Sequence, residues 1–469
     1  MSDSTRWATT ALAAARPGVF WLDDEARPEQ LPGLSGTIDA DLIVVGGGYG
    51  GLWTALRAVE REPGRRVVLL EAGRCGNEAS GRNGGFASAS LTHGFGNGLE
   101  RWPDELAQLD ALGADNLRAI GETIARHQID CNWEETGELS VASEPHQIAE
   151  LRQLGCAMRK AGHQIELLDG PAVRALVGSP TFMAGLRDPT GTALVEPARL
   201  AWGLRQACLD AGVVIHEGTW VRSLSSSGAR AEVVTPDGVA RAPHVALCTN
   251  AFPPLLRRLR LMSVPVYDYV LMTEPLSSEQ RAAIGWTGRE GVGDSANQFH
   301  YYRQTRDGRI LWGGYDAVYY YGSKVDRALE QSDRTHGLLA AQFFETFPQL
   351  EGLRFSHRWG GVIDTCSRFT AFYGTALSGR VGYALGYTGL GVAATRFGAD
   401  VVLDLLAGKE TERTALQMVR EKPVPFPPEP ARSVGINLTR WSLDRADRNA
   451  GKRNLWLRGL DKVGLGFDS

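Results

Sequence analysis

From Asp41 onward, short unbroken apolar runs alternate with stretches whose apolar residues recur every three or four positions. Leu42-Ile43-Val44-Val45 is an apolar run closed by glycines, the pattern of a buried parallel strand. Leu52, Ala55, Leu56 and Val59 then repeat at helical spacing, Pro63-Gly64 stops the helix, and Val67-Val68-Leu69-Leu70 supplies a second strand. Together they predict one βαβ unit. Residues 100–182 are helix-patterned, residues 213–221 read as a strand, and Thr235-Pro236-Asp237-Gly238 reads as a hairpin turn leading to the strand His244-Val245-Ala246-Leu247. Residues 264–321 are strand-like and aromatic. Trp359-Gly360-Gly361-Val362-Ile363-Asp364 and residues 381–385 read as further strands. A long helix follows, marked by Val392, Phe397, Val401, Leu403 and Leu406, with Gly408 as its stop.

The two ends read differently. Residues 10–15 are Ala-rich but too short for the apolar core of an export signal, so residues 1–39 are expected to form an arm over the folded body. Residues 423–430 are expected to be an extended linker. Beyond it, residues 440–452 read as a solvated helix packing through Trp441 and Leu443, or against a second subunit of a homo-oligomer.

Composition removes several function classes. With 50 basic against 54 acidic residues and a net charge of −4, the chain has no electrostatic footprint for nucleic acid or an anionic membrane. No apolar run is long enough to span a bilayer. The six cysteines (Cys75, Cys131, Cys156, Cys208, Cys248 and Cys366) form no CxxC pair, which argues against a zinc site or a disulfide framework and suits a cytoplasmic location. No metal site is expected. The 56 glycines exceed the usual share of about 7%, and their placement carries the chemistry.

Gly46, Gly48 and Gly51 fit Gly-x-Gly-x-x-Gly at the turn between the first strand and its helix, in the run that also holds Tyr49 and Gly50. The first glycine allows the tight turn, the second lets a pyrophosphate approach the backbone, and the third lets helix and strand pack closely. Helix-start N–H groups and the helix dipole then hold the phosphates. Glu71 ends the second strand, 20 residues after Gly51, where a carboxylate can accept from a ribose hydroxyl. An acid there disfavours a 2′-phosphate, which leaves FAD or NAD.

Beyond Glu71 come Ala72-Gly73-Arg74 and then Ala79-Ser80-Gly81-Arg82-Asn83-Gly84-Gly85-Phe86. Here the chain resembles the FAD-dependent amine and D-amino-acid oxidase superfamily, and most of all its gamma-glutamylputrescine oxidase-like branch. The resemblance implies FAD, bound non-covalently, with residues 80–85 threading beneath the pyrophosphate, ribityl chain and isoalloxazine. It also implies adenine pairing at Val221, a return to the FAD domain at Thr249 and Asn250, and a strand to the flavin at Trp359 and Gly360. Gly386, Thr388, Gly389, Leu390 and Gly391 would then aim a helix N-terminus at the flavin pyrimidine, where it stabilises the charge of the reduced ring. The implied fold is α/β: a Rossmann-type FAD-binding domain (40–100, 190–262 and 356–410) interleaved with an antiparallel-sheet-plus-helices substrate domain (101–189 and 263–355), flanked by arms at 1–39 and 411–469.

By the same resemblance, the aromatic sheet roofs the flavin. The substrate-pocket candidates are Phe86, His93, Tyr267, Tyr269, His300, Tyr302, Arg303 and Tyr387. Strand alternation puts Tyr267 with Tyr269 on one face and His300 with Tyr302 on one face, with Arg303 pointing oppositely, so the candidates cannot all line one site. The expected chemistry is hydride transfer from the α-carbon of a neutral amine to flavin N5, giving an imine that hydrolyses to an aldehyde or keto acid, with reoxidation by O2 or another acceptor. No dedicated catalytic base is expected. The substrate is expected to be a small amine or amino acid. No clearly placed Arg-plus-Tyr carboxylate clamp is visible, Arg303 with Tyr302 being the nearest candidate, so the resemblance favours a primary or secondary amine over a D-amino acid. The competing readings are a D-amino-acid dehydrogenase using another electron acceptor and a non-catalytic FAD-binding protein.

Overall fold

A computed structural model of the chain describes residues 3–462 and 464. The βαβ unit forms where its pattern predicts it: strand Leu42–Val45, helix Tyr49–Arg61 and strand Val67–Leu70. Both strands are buried along their whole length, as unbroken apolar runs require. They sit in a six-stranded sheet ordered Val214–His216, Val67–Leu70, Leu42–Val45, His244–Leu247, Val381–Leu385 and Phe372–Ala376. All neighbours run parallel except the last pair. Helices Tyr49–Arg61 and Gly391–Leu406 pack together over one face. Arg57 and Arg61 of the first helix pair with Asp400 and Asp404 of the second. The other face packs on a small sheet of Ser223–Ser227, Arg230–Val234, Gly238–Ala242 and Gly36–Asp39, where Ala231, Val233 and Ala240 meet Ile43 and Val45.

The second large sheet is ordered Arg16–Pro17, Phe355–Thr365, Val264–Thr273, Ile310–Gly314, His300–Gln304, Gly291–Asp294, Glu138–Ala142, Ala184–Asp188 and Glu166–Asp169, with Val318–Tyr319 also paired to Val264–Thr273. It is antiparallel except where Arg16–Pro17 meets Phe355–Thr365 and where Gly291–Asp294 meets Glu138–Ala142. One face packs on helix Asp333–Thr346 through Tyr267, Tyr269, Leu271, Tyr302 and Trp312 against Leu339, Phe343 and Phe347. The opposite face turns toward the glycine-rich segment at Gly84 and Gly85. Both faces are therefore covered, and this governs which side chains can reach a ligand.

Several elements depart from the sequence expectation. Residues 355–365 hydrogen-bond into the large sheet rather than the six-stranded one, because Val264–Thr273 pairs with them over nearly its whole length. In the region read as helical, Glu138–Ala142 and Glu166–Asp169 are strands. The stretch 213–221 is a strand only at Val214–His216. Beyond it the backbone leaves the sheet, and the buried Glu217 accepts from the N–H groups of Leu31 and Cys75 and pairs with Arg205. The N-terminal arm is a helix, Asp3–Leu12, buried through Ala8 and Ala11, followed by the edge strand Arg16–Pro17. In the C-terminal helix Ala431–Asp447, Leu443 is buried as expected. Trp441 instead faces solvent, 52% exposed, beneath the Arg445 guanidinium. No helix among the described residues is long and apolar enough to cross a membrane.

Candidate active site

A cavity of about 2250 Å³ runs between the two large sheets, from the turn at Gly46 to the strand face at Tyr301. At its first end Gly46 adopts φ +108°, a backbone conformation that a side chain would strain, beside the Cys248 carbonyl. A Cβ on Gly51 would fall 1.8 Å from the Gly46 carbonyl oxygen, so helix and strand meet here with no room for any side chain. The N-cap of helix Tyr49–Arg61, Gly48, has no side chain to cap with, and the Ser80 hydroxyl accepts from the Tyr49 N–H at 2.8 Å. Glu71 is buried at the strand end, with one carboxylate oxygen accepting from Gly47 N–H (2.6 Å) and the other from Gly73 N–H (2.7 Å). Burial raises its pKa, against the opposing pull of those two N–H groups. Each oxygen keeps acceptor capacity for a hydroxyl group.

Residues 79–86 cross from this cradle to the roof. They form one helical turn, Ala79–Arg82, and then enter strand Phe86–Ser88. Two indoles hold the crossing: Trp21 Nε1–H donates to the Asn83 carbonyl (3.0 Å) and Trp359 Nε1–H to the Arg82 carbonyl (2.9 Å). The Tyr301 ring lies on Gly84, where a Cβ would be 2.7 Å from it. The Phe86 ring stands edge-on to Tyr301, 6.0 Å between centroids, and covers Gly291. The strand residues lining this end include Val264, Val266, Asp268 and Val270 of one strand, with Tyr301, Gly293 and Ser140 of the others.

The third wall is the turn before helix Gly391–Leu406. Asp364 is buried, and its carboxylate accepts from the Gly386 N–H. Burial raises its pKa to about 7, against the pull of the backbone N–H groups of this turn. His93 Nε2 lies 2.9 Å from the Thr388 carbonyl and donates to it, and burial lowers the histidine pKa, leaving the ring neutral. His93 and Thr388 both have positive φ, +60° and +50°, a strained pair of the kind found where backbone is held for a ligand.

Residues 41–405 match the DAO family, FAD dependent oxidoreductase. The chain belongs to the DAO family. It is 32% identical to gamma-glutamylputrescine oxidoreductase of Escherichia coli strain K12 over 402 residues, 84% of this chain and 89% of that protein. Among solved structures it is similar to glycine oxidase from Geobacillus kaustophilus, with TM-score 0.68 and 19% identity over 80% of this chain and 96% of that one. It is also similar to L-proline dehydrogenase from P. horikoshii, with TM-score 0.66 and 18% identity over 83% and 98%. The fold is that of these flavoenzymes, and the chain is an FAD-dependent oxidoreductase.

The cradle fits the DAO-family cofactor. The side-chain-free approach at Gly46 and Gly48, the helix start with a glycine at its N-cap and the Glu71 carboxylate suit a pyrophosphate and a ribose. Of the residues expected to hold FAD, Gly46, Gly48, Tyr49, Gly50, Glu71, Ala72, Arg74, Ser80, Arg82, Asn83, Gly84, Val221, Thr249, Asn250, Thr388, Gly389, Leu390 and Gly391 line the cavity. Gly51, Gly81, Gly85, Trp359, Gly360 and Gly386 stand behind that lining, where a Cβ would strike backbone or packed side chains (Gly51, Gly81, Gly85, Gly386) or where an indole braces the segment (Trp359). Cys366 is buried, its thiol donates to the Thr370 carbonyl (3.2 Å), and burial raises its pKa, so it is a poor nucleophile for attachment. Acid precipitation of the holoenzyme is expected to release the yellow colour to the supernatant. Yellow precipitate would establish a covalent link.

The pocket candidates separate by sheet face. Phe86, His93, Tyr267 and Tyr387 border the cavity. Tyr267 does so at its outer part, where its hydroxyl is bonded to the Asp326 backbone, and the Tyr387 hydroxyl end is turned onto Gly398. Tyr269, His300 and Tyr302 are on the far face. The Tyr269 hydroxyl bonds to Tyr320 and to the Leu329 carbonyl, and its ring meets His336. His300 has Asp294 2.7 Å from Nδ1 and Gln342 3.0 Å from Nε2. Burial opposes its charge, but Asp294 and Gln342 outweigh that and raise the pKa. Tyr302 is packed on Trp312, Trp286 and Phe347. Arg303 points to the cavity side but ends beneath the segment, donating to the carbonyls of Val195 (2.6 Å) and Gly85 (3.4 Å). These four residues are thus structural supports of the roof. Tyr302→Phe is expected to leave kcat/KM for any substrate unchanged in steady-state assays, since its ring never reaches the cavity. The residues that the sequence reading passed over are Asp268 and Tyr301. The available signal was a lone acid in the otherwise apolar and aromatic strand Val264–Thr273.

Proposed function

We propose that this chain oxidises a C–N bond of a small primary or secondary amine, giving an imine that hydrolyses to an aldehyde or ketone, with O2 as electron acceptor. The observation that carries this reading is the composition of the roof over Gly84: Tyr301, Phe86, Val270 and Asp268, with the Arg303 guanidinium consumed by backbone carbonyls and Tyr302 turned away. A substrate carboxylate would find no clamp from this pair, whereas an amine nitrogen meets aromatic walls and a carboxylate. The named substrate of the E. coli relative, gamma-glutamylputrescine, is itself an amine, which supports the same class.

FAD, when bound, accepts two electrons from the C–H bond next to the substrate nitrogen. The chain's own contribution begins with orientation and exclusion of water. Tyr301 and Phe86 wall the space above Gly84, and a poorly solvated site favours the neutral form of an amine over its ammonium. The reading is tested by incubating the holoenzyme in air with a panel of primary amines, secondary amines and α-amino acids, trapping the carbonyl product and following O2 uptake. Carbonyl formation from amines with matching O2 uptake is expected. Turnover confined to α-amino acids would overturn the substrate class, and product without O2 uptake would overturn the acceptor.

A further inference from the structure

We infer that Asp268 is the base that takes the ammonium proton from the substrate, with Tyr301 aiming its carboxylate toward Gly84. This rests on the amine reading above. An amine is an ammonium ion at neutral pH, and its nitrogen must have a free electron pair before the neighbouring C–H bond can give up its electrons. In the proposed step the N–H bond to one proton breaks, an O–H bond to Asp268 forms, and the nitrogen keeps the pair. The ammonium becomes a neutral amine and the carboxylate a carboxylic acid, with no change in total charge.

Three features of the geometry support it. Val264, Val266, Asp268 and Val270 line the cavity from one strand, and Asp268 is linked to the segment through one residue: the Tyr301 ring lies on Gly84, and its hydroxyl donates to Asp268 at 2.6 Å. No Lys or Arg pairs with Asp268 among the described residues, in contrast to Asp400 and Asp404, which are held by Arg57, Arg61 and Arg413. Its remaining hydrogen bond comes from the Tyr269 N–H (2.8 Å), with the Gly314 N–H nearby. These two donors leave acceptor capacity free among the about four positions of a carboxylate, and a cation arriving in the cavity would fill it. The other buried acids lining the cavity are already placed for other work. Glu71 accepts from Gly47 and Gly73, Asp364 holds the Gly386 turn, Asp294 pairs with His300, and Glu138, four strands from Asp268 in the sheet, accepts from the Thr192 hydroxyl.

Burial raises the Asp268 pKa to about 6, opposed by the bonds from Tyr301 and the two N–H groups. The titratable and charged groups around it are Tyr301 and His300 from the strand His300–Gln304, Tyr315 and Asp316 just past Ile310–Gly314, and Arg82, which lies over its register partner Gly361 and is engaged by Glu78 and Glu330. The base is competent only when ionised, so kcat/KM should fall as pH drops through that value.

The test is the pH profile of kcat/KM for an oxidised amine in wild type, Asp268→Asn and Tyr301→Phe, with flavin content and visible spectrum recorded for each. Wild type should show an acid limb near pH 6. Asp268→Asn should retain FAD, lose that limb, fall by about 100-fold or more at neutral pH, and regain rate with rising pH as the amine itself deprotonates. Tyr301→Phe should keep the limb but move it to higher pH, because a donor to the carboxylate is gone. An FAD-loaded Asp268→Asn enzyme with the wild-type profile would overturn the proposal, and so would an unmoved limb in Tyr301→Phe if the first variant fails to fold. Wild type that oxidises amines while Asp268→Asn is unaffected fails this inference alone, and wild type that oxidises no amine fails the underlying reading as well.

Discussion

Gly51→Ala is expected to purify with little or no flavin. The added methyl would sit 1.8 Å from the Gly46 carbonyl oxygen and 3.3 Å from Val44, so either the helix lifts from the strand or the turn at Gly46 deforms. Overpacking of this kind costs about 1–3 kcal/mol. Charged to the cofactor site, that is roughly 10- to 100-fold in FAD affinity. The matched control is Gly50→Ala, whose methyl would meet the Cys248 side chain at 3.6 Å, an ordinary contact. The ratio of visible to ultraviolet absorbance after purification reads both. Full flavin content in Gly51→Ala would mean that the cofactor does not depend on this turn.

Arg303→Ala should lower stability and flavin content whatever the substrate. The side chain is 1% exposed, and burial lowers its pKa to about 10, which still leaves it charged at neutral pH. Removing it leaves the Val195 carbonyl without its side-chain donor, takes the weaker of two donors from the Gly85 carbonyl, which keeps the Val195 N–H, and opens a void beneath the cofactor segment. A buried acceptor left without a partner costs about 1–3 kcal/mol, so a fall in Tm of a few °C is expected by calorimetry. Arg303→Lys should recover only part of this, because an ammonium can replace the two bonds that Nη1 makes but not the Nε bond to the Gln304 carbonyl or the flat guanidinium over the Trp21 ring. An unchanged Tm with turnover lost only on carboxylate-bearing substrates would return Arg303 to the role of a substrate clamp.

These two residues mark what the sequence made legible. The cradle could be read because its constraint is local: strand, glycine turn and helix are contiguous, and Gly46, Gly48, Gly51 and Glu71 answer to one another across 26 residues. The roof could not be read in the same way. Alternation correctly grouped Tyr267 with Tyr269 and His300 with Tyr302, with Arg303 opposite, yet it does not say which face meets the ligand. A sheet with one wet face shows its orientation in polar residues. This sheet is covered on both sides, by helix Asp333–Thr346 and by the cofactor segment, so aromatic and polar side chains appear on each. The large aromatic residues chosen for their chemistry are mostly the ones that fill the core. Glu217 was hidden for a related reason. It lies in a run patterned as strand, and its partners Leu31, Cys75 and Arg205 come from three distant segments.

The proposed substrate is an amine bound under the Tyr301 and Asp268 face of this flavoprotein. The most direct measurement is rapid anaerobic mixing of the holoenzyme with amines, amino acids and NADH while the flavin absorbance is followed. Bleaching by at least one amine, at a rate that accounts for turnover in air, is the predicted result. A flavin that no amine bleaches, or that only α-amino acids or NADH reduce, would contradict it.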